Sequence, residues 1–199
     1  MDSDRQMNRI CVFCGTNPGS RPEYGAAARR LGTVLAEQNI ELVYGGASVG
    51  IMGELADAVH EHGGHVTGII PQQLVQKEAA HTGIANLIVV ASMHQRKSQM
   101  ADMSDGFIAL PGGIGTLEGF FEILTWAQLG IHAKPSGILN VEGYFDGLTG
   151  FLDHAVREGF LTDAHRRAII VESEPAALLQ RMRAYTPPEG EKFMGRTNR

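Results

Sequence analysis

Two glycine-rich turns offer the residue types and spacing that best suit chemistry in this sequence. They run from Tyr44 to Gly50 and from Leu110 to Thr116, and each follows an apolar run and precedes an amphipathic one. Glycines let a ligand approach backbone amides, and a helix N-terminus adds free N–H groups and the positive end of a dipole. One such turn would be interpreted as a tight connection. Two turns on matching strand ends favour binding of a phosphate.

The spacing of these turns does not match familiar nucleotide loops. A Walker A motif requires Gly-Lys followed by Ser or Thr, and the sequence contains no Gly-Lys pair. The first predicted strand is followed by Gly15-Thr16-Asn17-Pro18-Gly19, which lacks the spacing of the dinucleotide fingerprint. The pattern therefore favours a simpler phosphate ester over ATP or NAD.

Charged residues flank the second turn. Arg96 and Lys97 lie near the start of a predicted helix, where cations oppose the helix dipole, and an arginine can hold a phosphate with two parallel hydrogen bonds. Thr116 is predicted as the N-cap of the next helix, with Glu118 and Glu122 on one face. An ionised carboxylate there could stabilise positive charge on a sugar ring. A solvated basic face and an ordinary helix-start acid remain open alternatives.

Two other sets of side chains resemble metal or redox sites. Cys11 and Cys14 have C-x-x-C spacing, but residues three apart on a strand point to opposite faces, which favours buried, inert thiols. His60 and His62 face different directions at a helix end and His65 follows two glycines, which favours structural roles and no metal.

The elements that must position these residues alternate along the chain. Short β-branched runs and longer amphipathic stretches predict a doubly wound, mostly parallel α/β sheet with helices on both faces. The predicted strands are 10–14, 41–44, 65–70, 87–90, 106–109, 136–139 and 168–171. The predicted helices are 22–38, 51–62, 94–103, 116–129, 145–158 and 175–184. We expect one domain over residues 1–185 and a mobile tail over 186–199.

Composition limits the classes of partner. A formal charge of -5 argues against sequence-independent binding of nucleic acid. The N-terminus has no apolar targeting segment, and no run approaches the roughly 20 apolar residues that span a bilayer. We therefore expect a cytoplasmic protein with a small-molecule ligand, no nucleic acid and no membrane.

The second turn and two neighbouring motifs together resemble a known family. Residues 111–118 read Pro-Gly-Gly-Ile-Gly-Thr-Leu-Glu, with Tyr-Gly-Gly at 44–46 and Thr-Trp-Ala-Gln-Leu-Gly at 125–130. From about Ile10 to about Leu179 the chain resembles the LOG (Lonely Guy) family. Its members are cytokinin riboside 5′-monophosphate phosphoribohydrolases, often mislabelled lysine decarboxylases.

The resemblance implies an activity, an assembly and a set of site residues. It implies a Rossmann-like homodimer that hydrolyses the N-glycosidic bond of N6-modified AMP, releasing the base and ribose 5-phosphate without a cofactor. It also implies a catalytic role for Arg96. Glu118 is the second predicted catalytic residue, because its carboxylate could stabilise charge on the sugar ring. The implied substrate site comprises Glu78, Arg96, Lys97, Gly112, Gly113, Ile114, Gly115, Thr116, Leu117, Glu118, Gly119 and Thr125.

The chain departs from the family pattern at two positions. Ala47 replaces the third glycine after the second strand, which is a small change. More seriously, the motif PGGxGTxxE places its last glutamate at position 119, where this sequence has Gly119. With Thr116 as N-cap, position 119 would complete a capping box, so glycine is expected to weaken the helix start as well as remove a carboxylate.

Two other functions compete with the phosphoribohydrolase. A non-catalytic nucleotide- or molybdenum-cofactor-binding protein on the same scaffold is favoured by Gly119. A lysine decarboxylase needs a lysine that forms a Schiff base with pyridoxal phosphate. The only candidates are Lys77, Lys97, Lys134 and Lys192, which makes this the weakest of the three hypotheses.

Overall fold

The computed structural model describes residues 6–75, 77 and 79–188. Seven parallel strands form one sheet in the order β4-β3-β2-β1-β5-β6-β7. The strands are β1 (Arg9–Phe13), β2 (Glu41–Tyr44), β3 (Val66–Pro71), β4 (Asn86–Val90), β5 (Gly106–Ala109), β6 (Ser136–Leu139) and β7 (Ile169–Glu172). The strand order reverses between β1 and β5, which are paired with Val12 opposite Ile108 and Phe13 opposite Ala109.

Within the described residues, seven α-helices connect and follow these strands. They are α1 (Pro22–Glu37), α2 (Gly50–Glu61), α3 (Met93–Met103), α4 (Ile114–Gln128), α5 (Asp146–Arg157), α6 (Asp163–Ala168) and α7 (Pro175–Arg183). Prolines at the first position of α1 and α7 suit the helical φ and have no N–H to leave unpaired. At the start of α3 the Ser92 hydroxyl accepts from the Gln95 amide, and the Gln95 side chain accepts from the Ala91 amide.

Apolar helix faces cover both sides of the sheet. One core contains Leu31 of α1, Leu55 of α2 and Leu178 of α7. The other contains Met100 of α3, Phe120 of α4 and further side chains from α5. The two cores bury the strands on both faces, which explains why the strand sequences are nearly continuous apolar runs.

The architecture predicted from the sequence is confirmed, with local corrections. All seven predicted strands are present and all are parallel, and helix α6 was not predicted. The prediction that Thr116 is an N-cap was wrong, because α4 begins at Ile114 with Gly113 as its N-cap. Position 119 is therefore the sixth residue of the helix, and the capping-box interpretation of Gly119 does not apply.

The two cysteines lie in different cores. Cys11 packs in the core with Met100 and Phe120, whereas Cys14 packs in the core with Leu31 and Leu55. Burial raises the pKa of both thiols, that of Cys14 to about 12. Divergent, protonated thiols are unsuited to redox chemistry, as the strand periodicity predicted.

Two further findings concern the described residues as a set. His60, His62 and His65 belong to no group of three or more side chains there that could hold a metal ion. None of the helices in those same ranges has both the length and the apolar character needed to cross a bilayer. Most of the expected tail, residues 189–199, lies outside the described residues.

Candidate active site

A cavity of about 430 Å³ opens where the strand order reverses. In open α/β sheets, ligands bind beyond the carboxyl ends of the strands at this position. The walls come from the turns after β1, β2 and β5 and from the starts of α3 and α4. Both glycine-rich turns therefore contribute, but they contribute in different ways.

The turn after β5 packs closely against the turn after β1. The Gly15 amide donates to the Pro111 carbonyl at 3.1 Å, and the Leu110 amide donates to the Phe13 carbonyl at 2.9 Å. A Cβ on Gly112 would lie 2.7 Å from the Gly15 nitrogen and 2.9 Å from Thr116 Cβ. A side chain at position 112 would force these backbones apart, so glycine is required there by close approach.

The start of α4 carries unused hydrogen-bond donors. The amides of Thr116 and Leu117 both donate to the Gly113 carbonyl, at 3.1 and 3.2 Å. Within residues 6–75, 77 and 79–188, the amides of Gly113, Ile114 and Gly115 have no protein acceptor. Three free N–H groups at a helix N-terminus can bind an anion.

The turn after β2 accommodates a buried arginine. Arg96 is 8 % exposed, and its Nε donates to the Ile69 carbonyl at 2.9 Å while Nη2 donates to the Gly45 carbonyl at 2.6 Å. A Cβ on Gly45 would overlap Nη2 of the same guanidinium. Gly45 is thus needed because the Arg96 side chain lies against the backbone at this position.

A lysine and two carboxylates form a cluster beside the cavity. Lys97 Nζ lies 2.6 Å from Glu118 Oε1 and 3.0 Å from Glu122 Oε2. Burial alone would lower the pKa of Lys97, but hydrogen bonds and charge from Glu118 and Glu122 outweigh burial and raise that pKa. Glu118 lines the cavity and Glu122 does not. Of the two carboxylates predicted near this turn, Glu118 is the one placed to meet a ligand.

Gly119 is buried against an aromatic ring. A Cβ at this position would lie 2.8 Å from Phe13 Cε1 and 2.9 Å from Cδ1. Both residues line the cavity. The space that a side chain at position 119 would enter is therefore occupied by the edge of the Phe13 ring.

The remaining predicted site residues are not among those that line the cavity. The Ile114 side chain is 86 % exposed and does not line the cavity, so only its backbone amide could contact a ligand there. Leu117 packs against the core beneath α4. The Thr125 hydroxyl donates to the Phe121 carbonyl and lies in a second cavity. Glu78 lies outside the described residues.

Known proteins resemble this chain in sequence and in fold. A family model described as possible lysine decarboxylase matches residues 52–182. A probable cytokinin riboside 5′-monophosphate phosphoribohydrolase of Oryza sativa subsp. japonica is 50 % identical over 92 % of this chain and 74 % of its own length. A cytokinin riboside 5′-monophosphate phosphoribohydrolase of Arabidopsis thaliana is 48 % identical over 94 % of this chain and 87 % of its own. The chain belongs to the LOG family.

Solved structures support the fold of this LOG family member. A molybdenum cofactor carrier protein of Chlamydomonas reinhardtii superposes with a TM-score of 0.68 at 20 % identity, covering 90 % of this chain and 100 % of that one. A molybdenum cofactor binding protein of Rippkaea orientalis has a TM-score of 0.63 at 22 % identity, covering 86 % and 92 %. At such identities these structures establish a shared fold and nothing further.

Several residues that line the cavity of this LOG family member were not predicted. Thr16 and Asn17 follow β1, and Tyr24, Met52 and Tyr144 complete the walls. The turn after β1 could have been found, because every parallel strand at a reversal of strand order ends at the ligand site. Met52 and Tyr144 carry no local signal, since only the fold brings them to this edge of the sheet.

The second cavity of this LOG family member measures about 670 Å³ and lies along the C-terminal half of α4. Its walls include Phe121, Leu124, Leu129 and Ile131. Leu129 is 45 % exposed and Ile131 is 65 % exposed. Polar side chains, Thr125 and Gln128 among them, also line this cavity.

Proposed function

We propose that this protein hydrolyses the N-glycosidic bond of N6-modified adenosine 5′-monophosphates and releases the free base and ribose 5-phosphate. The observation that carries the proposal is the convergence of free amides, a fixed arginine and a carboxylate in one cavity. The free amides can bind a 5′-phosphate, and the carboxylate can stabilise a positively charged sugar. Relatives about half identical in sequence carry the corresponding name.

Each of these groups has a distinct part in the proposed reaction. The amides of Gly113, Ile114 and Gly115 and the dipole of α4 bind the phosphate and so orient the ribose. The Glu118 carboxylate stabilises the oxocarbenium-like sugar as the bond to the base breaks. Lys97 holds the Glu118 carboxylate in place through the 2.6 Å contact.

Arg96 supplies fixed positive charge in the same cavity. Its guanidinium is held by two backbone carbonyls, so little reorganisation is needed during the reaction. An arginine keeps its proton at all ordinary pH values and acts here through charge, not as an acid. Water supplies the hydroxyl group that bonds to C1′ of the ribose, and its proton goes to the departing base.

Gly119 lowers the activity in this proposal. The family motif has a glutamate at this position, and removing one group that stabilises transition-state charge costs about a hundredfold or more in rate. Glu118 covers part of that loss. We expect Gly119→Glu combined with Phe13→Leu to raise kcat strongly, because the smaller side chain clears the space beside position 119.

The decisive experiment uses N6-isopentenyl-AMP and the purified protein. We expect chromatography to detect free N6-isopentenyladenine and ribose 5-phosphate, with slower release from the 5′-hydroxyl nucleoside. Arg96→Lys serves as the matched low-activity variant. No base release by wild type or by the Gly119→Glu, Phe13→Leu double variant would refute the assignment.

The same experiment decides the non-catalytic alternative. Gly119 is the specific feature that favours it, because the site lacks one carboxylate of the family motif. A binding protein would show heat of binding for AMP in calorimetry without any product over hours. Rapid release of base excludes this alternative.

A lysine decarboxylase is a poor match for this site. A Schiff-base lysine must lose its proton, whereas Glu118 and Glu122 raise the pKa of Lys97 and keep it protonated. Lys134 is engaged with the Ala101 carbonyl at 2.8 Å. Absorbance from bound pyridoxal phosphate in the purified protein would reverse this conclusion.

Assembly and location complete the proposal. The protein forms a homodimer through the second cavity, where Leu129 and Ile131 expose apolar surface that a second copy would cover. It acts in the cytoplasm, on a small-molecule nucleotide and without nucleic acid, a cofactor or a membrane.

A further inference from the structure

The connection between β6 and α5 has an unusual backbone. Glu142 adopts φ 50 and ψ 32, and Gly143 adopts φ 68. A residue with a side chain rarely occupies this left-handed region, and such residues cluster at functional sites. A Cβ on Gly143 would lie 2.6 Å from Asp146 Oδ2, so a side chain at position 143 would crowd the Asp146 carboxylate.

Side-chain hydrogen bonds hold this turn in one conformation. Asn140 Nδ2 donates to Asp146 Oδ1 at 2.7 Å, and Asn140 Oδ1 accepts from the Phe145 amide at 2.8 Å. The Asn140 amide donates to the Glu172 carbonyl at 2.8 Å, which joins the turn to β7. Phe145 is 2 % exposed and anchors the turn in the core.

The residue that this turn presents is Tyr144. Its hydroxyl donates to the Gly112 carbonyl at 2.6 Å. Its ring packs edge-on against Tyr24, with centroids 5.5 Å apart, and against Phe145, with centroids 4.9 Å apart. Tyr144 is 44 % exposed, so core burial does not explain the choice of this side chain.

The Tyr144 hydroxyl bonds to the Gly112–Gly113 peptide, which lies at the start of the proposed anion-binding turn. In a trans peptide the C=O and the following N–H point in opposite directions. Fixing the Gly112 carbonyl on Tyr144 therefore directs the Gly113 amide away from Tyr144 and fixes its orientation. The hydrogen bond also engages a carbonyl oxygen that would otherwise be free to repel an anion.

We infer that Tyr144 is a positioning residue that orients the Gly112–Gly113 peptide for binding of the substrate's 5′-phosphate. The inference rests on the proposed function, because it assigns Tyr144 a role in the same cavity. Tyr144 touches the turn and acts through it, so its effect should depend on the phosphate.

The test compares substrates with and without that phosphate. Tyr144→Phe removes the hydroxyl and keeps both ring contacts. We expect kcat/KM for N6-isopentenyl-AMP to fall about three- to tenfold, the change that loss of one neutral hydrogen bond produces, mostly through a higher KM. The value for N6-isopentenyladenosine should stay unchanged, and calorimetry should show a similar three- to tenfold loss in affinity for ribose 5-phosphate.

A matched variant controls for loss of a hydroxyl in this region. Thr149→Val removes a donor to the Asp146 carbonyl, 3.1 Å away in the same part of the chain, and Thr149 does not line the cavity. We expect this variant to have wild-type kinetics with both substrates. Equal losses with both substrates in Tyr144→Phe, or no loss, overturn the positioning role and leave the proposed function standing.

Failure of the proposed function gives a different pattern. If wild type binds ribose 5-phosphate but releases no base, the hydrolase assignment fails. The affinities of wild type and Tyr144→Phe then decide the positioning role by themselves: weaker binding by the variant supports it, and equal binding overturns it. If wild type binds no ribose 5-phosphate, both the site and the positioning role are refuted.

Discussion

The two halves of helix α4 line two different cavities. Its first residues, with Thr116, Glu118 and Gly119, line the cavity at the reversal of strand order. Its later residues, with Phe121 and Leu124, line the second cavity. One continuous helix thus presents free amides and charge at one end and a mixture of apolar and polar side chains at the other.

The difference follows from how a helix is built. The N-terminus has unpaired N–H groups and the positive end of the dipole, so an anion is stabilised there. Further along, the backbone is paired and only side chains can interact, and here those side chains are a mixture of apolar and polar ones. The proposed reaction therefore uses the first end, and the proposed contact between subunits uses the second.

The largest expected effect comes from the charged group at the first end. We expect Arg96→Lys to lower kcat/KM for N6-isopentenyl-AMP by about a hundredfold, because a single ammonium cannot hold both carbonyls and keep the charge in place. Steady-state kinetics measure this. Arg181→Lys, at an ion pair with Glu172 away from both cavities, should retain full activity. If kcat/KM falls less than threefold in Arg96→Lys, the guanidinium of Arg96 has no catalytic role.

The second end should control assembly instead of chemistry. We expect Ile131→Asp to convert a dimer into a monomer in sedimentation velocity, because a charge on the covered surface would be desolvated. Ile131 is 65 % exposed, so the subunit should keep its melting profile. Phe151→Asp alters another exposed apolar residue, 63 % exposed and outside the cavity, and should leave the dimer intact. A monomeric wild-type protein would contradict this division of α4.

Periodicity was sufficient to predict the fold. Runs such as those at 41–44, 106–109 and 136–139 match the strands β2, β5 and β6 residue for residue. Buried parallel strands are continuous apolar runs and amphipathic helices have a clear stripe, so local sequence carries the information. The site at the turn after β5 followed from the same rule, since glycines at a strand end are a local signal.

Other parts of the site depend on distant contacts and had no local signal. Gly45 is required by Arg96, which is 51 residues away along the chain. Phe13 fills the space beside Gly119 only because β1 and α4 pack together. The N-cap was misassigned to Thr116 because its hydroxyl suits capping, whereas the turn lets Gly113 take that position. Packing, not propensity, decided these positions.

A smaller expected effect contrasts a tightly packed glycine in the first half of α4 with an open glycine in α5. Gly119→Ala should lower the free energy of unfolding by about 1–3 kcal/mol, because the added methyl group overpacks against Phe13. Gly150→Ala in α5 meets no atom within 4 Å and should raise it by about 0.5–1 kcal/mol. Urea unfolding of both variants measures the contrast. A stabilised Gly119→Ala would show that the Phe13 ring moves aside at little cost.

The smallest expected effect is a pH dependence of stability, and it comes from a histidine that contacts the second half of α4. His132 Nδ1 accepts from the Lys134 amide at 3.1 Å, so Nε2 carries the proton that it donates to the Ile123 carbonyl on α4 at 3.0 Å. Burial, with a contribution from the Lys134 charge, lowers the pKa of His132.

Because the unfolded chain binds this proton more readily, the stability held by neutral His132 is present above the ordinary histidine pKa of about 6.5 and is lost as pH falls below it. We expect His132→Gln to be less stable than wild type at pH 7.5 and to lose less stability than wild type between pH 7.5 and pH 5.5. Urea unfolding at both pH values measures the difference. The control variant His154→Gln, at an exposed position, should show the same pH dependence of stability as wild type. If His132→Gln also shows the wild-type pH dependence, His132 does not contribute to the stability of α4 in this way.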